Sequence, residues 1–65
     1  MTREILNSLP QNILKTIEIW KGRYNDDRFD KPICKGEIRG YLMGLRDAGI
    51  ITDNQYRCIF VYMTL

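Results

Sequence analysis

The chain has 65 residues, 45% of them hydrophobic, with one Trp, four Tyr, two Phe, ten Lys and Arg against eight Asp and Glu, a net charge of +2 and no histidine. A chain this short forms one domain, residues 1–65, that buries only about 60% of the surface its unfolded form exposes, and its composition lies well outside the disordered range. The charge balance is too even to argue for nucleic acid by itself and argues against an acidic DNA mimic, while the missing imidazole removes the commonest general base and metal ligand near neutral pH.

The first segment, TREILNSLPQNILKTIEIWKGRY, has helical period: Leu6, Leu9, Ile13, Ile17, Trp20 and Tyr24 fall on one face, with Ile19 off it. Pro10 either kinks one long helix or opens a new one. Ser8 with Gln11 fits a Ser-x-x-Gln capping box, which favours a short turn of helix near residues 3–8 and a main helix over about 9–24. NDDRFDKP follows as a connector. Asp26, Asp27 and Asp30 do not meet the spacing of a calcium-binding EF-hand loop, so a solvated loop is the better reading. Phe29 is expected to tuck inward, and Asp30 can cap the next helix.

That helix is expected over about 34–48, with Cys34, Ile38, Tyr41, Leu42, Leu45 and Ala48 on one face. Gly49 suits the left-handed position after a helix end, with Ile50 making the hydrophobic contact that follows. Thr52 and Gln55 form a second capping box, and Ile51 and Tyr56 stand where a hydrophobic staple places them. Stop, link and start within DAGIITDNQY predict a helical hairpin. The tail RCIFVYMTL has the β-branched and aromatic content of a strand, but the capping box ahead of it and the lack of any pairing partner favour a helix over about 53–64. The fold class is therefore all-α, a small three-helix domain.

Residues 45–56, with their Gly-Ile-Ile-Thr run followed by polar residues and an aromatic, resemble the helical hairpin of the short C-terminal domains called SHOCT. The resemblance implies a hairpin and an interaction appendage. The chain departs from those domains in its apolar tail and its N-terminal helix, so no function is carried over.

No apolar run approaches the roughly 20 residues of a membrane helix, and no leader pattern is visible, so a cytoplasmic protein without membrane contact is expected. Cys34 and Cys58 lack CxxC spacing and read as buried thiols of a reducing compartment; a disulfide between them and a reactive Cys34 are the alternatives. No metal or other cofactor is implied. With no nucleophile motif, no phosphate-binding glycine loop and no paired carboxylates, an enzyme is the weakest hypothesis.

Two surfaces remain. In the second main helix, Lys35, Arg39 and Arg46 fall together on one flank, with Met43 between them and Gly40 and Gly44. Gly36 is expected before the first full turn. An interior glycine costs a helix about 1 kcal/mol against alanine, so Gly40 and Gly44 require an explanation. Either the N-terminal helix crosses there at close approach, the favoured expectation, or the bare backbone docks a partner beside Lys35, Arg39, Met43 and Arg46. In the last helix, Tyr56, Ile59, Phe60 and Met63 make one apolar face, and Cys58, Val61, Tyr62 and Leu65 a nearly opposite one. Since no helix of a three-helix bundle is central, the second face points to a second copy or another protein, unless the connector and the N-terminal turn cover it.

The favoured function is a small protein-binding module. Chain size alone suggests a phage or mobile-element inhibitor or modulator of host machinery, of the anti-CRISPR type. It would act on a protein partner, with a homodimer through Val61 and Tyr62 as an option. The alternative is a helix-turn-helix-like DNA-binding regulator, gripping phosphates through the Lys35, Arg39, Arg46 row.

Overall fold

A computed structural model describes residues 2–65. Helices α1 (Thr2–Asn7), α2 (Gln11–Tyr24), α3 (Lys31–Asp47) and α4 (Asp53–Thr64) follow one another, with no strand among the described residues. The all-α expectation holds, and residues 57–63 are helical, so the local cap outweighs the strand propensity of the tail.

The ends of the helices explain their bounds. The first capping box does not form: the Ser8 hydroxyl donates to Ile5 O at 2.7 Å, inside the turn that closes α1. Pro10 instead stands at the cap of α2 with extended ψ of 145° and no side-chain cap, so α2 begins at Gln11 rather than near residue 9. Asp30 does cap α3, accepting from Ile33 N–H at 3.0 Å. Pro32 lies in the first turn, where its missing N–H leaves no bond unmade, and α3 therefore begins at Lys31, ahead of the expected 34. Gly36 consequently falls inside the helix rather than before it.

The hairpin between α3 and α4 forms as its residues predict. Gly49 has φ of 77°. Ile50 N–H donates to Leu45 O at 2.9 Å and Gly49 N–H to Arg46 O at 3.0 Å, the paired bonds of a Schellman stop. Ile50 stays 47% exposed; Ile51 is the residue that enters the core. The Thr52 hydroxyl then accepts from Gln55 N–H at 3.1 Å, while Gln55 Oε1 accepts from Thr52 N–H at 2.8 Å.

The core is wholly apolar: Leu6, Leu9, Ile13 and Ile17 meet Ile38, Leu42 and Leu45 of α3 and Ile59 and Met63 of α4. Full burial of such side chains stabilises by about 1.5–3 kcal/mol each. Contrary to the sequence expectation, one helix is central. With α1 present, α4 packs against α1, α2 and α3, which is why its sequence is apolar on more than one side. Cys34 is buried and Cys58 half-buried, both as free thiols. Phe29 corrects a further expectation. It is 42% exposed under the Arg23 guanidinium, 6.0 Å from the ring, and the connector is pinned by polar contacts instead. There Asp26 holds Arg28 at 2.7 Å and accepts from its N–H at 2.9 Å, which draws the Asp26 carboxyl below its ordinary range.

Candidate docking face on α3

The flank of α3 that carries Lys35, Arg39 and Arg46 faces the aromatic edge of α4. Tyr56 and Phe60, four apart, present tilted rings 6.2 Å from centroid to centroid. Lys35 Nζ lies 5.9 Å and Arg39 Cζ 5.5 Å from the Phe60 centroid, and Arg46 Cζ lies 5.1 Å from that of Tyr56. The expected row thus divides. Arg46 is half-buried and neutralised, bonded to Asp53 Oδ1 at 3.1 Å and paired with Asp47 at 3.6 Å. Arg57 also pairs with Asp53, at 3.1 Å. Lys35 and Arg39 are exposed and have no acidic partner among the described residues.

Beside this row run Gly36, Gly40 and Gly44. A Cβ built on any of the three meets no heavy atom within 4 Å. The expected close crossing by the N-terminal helix is therefore not there. The helical repeat gives the reason: Gly40 stands two residues from Ile38, roughly 200° round the helix and so on the far side from the core. Ile38 and Leu42 are completely buried and carry the inner face of α3. The glycines form the floor of an open groove between two rows of side chains. Lys35, Arg39 and Met43 make one wall; Ile33, Glu37 and Tyr41 make the other. Ile33 is 64% and Met43 38% exposed. Ile33 was not singled out from the sequence, although Asp30 was read as a cap; with Asp30 capping, the helix begins at Lys31 and carries Ile33.

The second face of α4 divides too. Val61 is 54% and Leu65 84% exposed. Tyr62 is engaged within the fold: its hydroxyl donates to Glu18 Oε1 of α2 at 2.7 Å, and Lys21 Nζ lies 5.0 Å from its ring. The Glu18 hydrogen bond, with partial burial, raises the Tyr62 pKa above its ordinary 10.0. The structure thus brings Lys35, Arg39, Met43, Gly40 and Gly44 together on α3 and leaves Val61 apart from them.

No cluster of metal-ligating side chains, no enclosed pocket and no helix long and apolar enough to cross a membrane occurs among the described residues. No protein-family model, curated protein or solved structure matches this chain.

Proposed function

We propose that this chain is a non-catalytic protein-binding module that docks a partner on the outer face of α3 and modulates the partner by occupying its surface. One observation carries this reading. Three glycines four apart lie in open space beside the exposed Ile33 and Met43, and nothing inside the fold uses the room they leave. Bare backbone between two side-chain rows suits a partner helix that seats its own ridge in the groove. An inhibitor role, anti-CRISPR action included, is one form such occupation can take.

The DNA-binding alternative draws support from Lys35 and Arg39, exposed on α3 with no acid partner among the described residues. It loses support from α4, the helix in the recognition position, which packs against all three others, and from Arg46, whose charge Asp53 and Asp47 offset. A homodimer through Val61 has exposed apolar surface in its favour, but Tyr62 is already committed to Glu18.

Capture from an extract of the native cells, with nuclease added, tests the proposal. Gly40→Leu and Gly44→Leu fill the groove with a good helix former and should abolish capture while circular dichroism stays unchanged. Lys15→Leu, on the exposed side of α2, should leave capture intact. Capture that survives both groove variants overturns the proposal. Duplex-DNA binding that falls steeply with salt favours the regulator instead. A concentration-dependent dimer lost on Val61→Asp favours the homodimer.

A further inference from the structure

Lys35 and Arg39 are like charges one helical turn apart, an arrangement that by itself disfavours the helix. Both lie against one ring, at 5.9 and 5.5 Å from the Phe60 centroid. Attraction to the ring biases both charged heads toward it in the free protein. Three arginines are paired with acids, Arg46 with Asp53 and Asp47, Arg28 with Asp26 and Arg57 with Asp53, whereas Lys31, one turn before Lys35, has no acid among the described residues and donates to the Tyr24 carbonyl instead. Lys35 and Arg39 have none among the described residues.

Given docking on α3 as proposed above, we infer that Lys35 and Arg39, held over Phe60, form a clip for carboxylates on an acidic-flanked helix of the protein partner. The guanidinium of Arg39 offers a planar fork that matches a carboxylate, and Lys35 adds a point charge one turn away. A partner helix seated in the glycine groove would run its flank along this wall, where glutamates one turn apart meet both cations. Charge complementarity names an acidic flank, and Met43, next in the same row and 38% exposed, names an apolar residue beyond it. Nucleic acid suits the patch less well. Lys31 is held by the Tyr24 carbonyl, and the two cations that follow give way to an apolar Met43 and a neutralised Arg46, which do not make the extended array that a phosphate backbone engages.

The test uses the whole chain, isotope-labelled, titrated with a synthetic alanine-glutamate helical peptide whose glutamates stand four apart. The Phe60 ring protons and the Arg39 side-chain N–H are followed by nuclear magnetic resonance. Saturable shifts at both groups are expected. Arg39→Gln should weaken binding by about tenfold or more, the loss expected when a charge-assisted hydrogen bond is removed. The peptide with glutamine in place of glutamate should weaken it similarly. Lys15→Gln, an equal change of net charge on α2, should leave affinity within about twofold, since surface charges remote from a contact act weakly.

Equal weakening by Lys15→Gln and Arg39→Gln overturns the inference, as does equal binding of the glutamine peptide. Duplex DNA shifting the same signals at lower concentration than the peptide assigns the pair to phosphates and overturns it too. Failure of the clip is distinguishable from failure of docking. Capture from extract that is lost on Gly40→Leu but kept on Arg39→Gln leaves the docking face and removes the clip. The peptide result standing while Gly40→Leu still captures removes the docking face alone.

Discussion

Replacing Gly40 and Gly44 with alanine should make the isolated protein more stable. A Cβ at either position meets nothing within 4 Å, so the added methyl has no packing penalty. What remains is the intrinsic preference of the helix and the smaller conformational freedom of the unfolded chain, together about 0.5–1 kcal/mol per site. The two new methyl groups lie one turn apart, about 5–6 Å, and do not crowd one another. The double variant should therefore gain about 1–2 kcal/mol by additivity between non-contacting sites. For a domain of this size about 4–8 °C accompanies each kcal/mol, so the melting temperature should rise by about 4–16 °C. Thermal and urea denaturation followed by circular dichroism measure it. Gly49→Ala in the same series provides contrast, because φ of 77° strains any L side chain and this variant should lose stability. A loss at Gly40 or Gly44 would show that the face is packed within the fold, and the case for an open docking groove would fall with it.

Thr52→Ala removes a cap acceptor used at 3.1 Å and should cost about 0.5–2 kcal/mol in urea denaturation, with Gly49→Val costing more. Ile59→Ala, at a completely buried site, should lose about 2–5 kcal/mol, enough to unfold much of a small domain, whereas Val61→Ala at 54% exposure should stay within about 0.5 kcal/mol. Tyr62→Phe should change stability by under about 1 kcal/mol at neutral pH. Its signature lies in the alkaline limb. A tyrosine whose folded pKa is raised contributes stability that is fully present below its ordinary 10.0 and lost as pH rises through the folded value, so the gap between wild type and variant should close above pH 10. A gap that stays constant through that range would deny the Glu18 bond.

The hairpin was legible because its signals are local. Gly49, Thr52 and Gln55 act on backbone groups within a few residues, and nothing elsewhere in the fold competes for them. The Ser8–Gln11 box had the same residue types and did not form, since the last turn of α1 claimed the hydroxyl first and Pro10 fixed the entry to α2. The basic row was visible from helical spacing, yet its division was not. Whether Arg46 is neutralised depends on Asp53, which the turn brings beside it, and whether Phe60 supports Lys35 and Arg39 depends on how α3 and α4 pack. The glycines were misjudged because helical spacing puts them off the core face but does not say whether another helix crosses there, which depends on how the helices pack. The central place of α4 depended on α1, a six-residue helix too short for periodicity to assign a partner.

Site-directed photocrosslinking in the native cells tests the docking face most directly. A benzoylphenylalanine is placed in turn at Glu37 and Met43, on the two walls of the groove, and at Lys15 on α2 and Val61 on α4. Docking on α3 predicts one nuclease-resistant protein adduct, of the same mass, from Glu37 and Met43 and none from Lys15 or Val61. An adduct from Val61 alone, or equal labelling from all four positions, would contradict it.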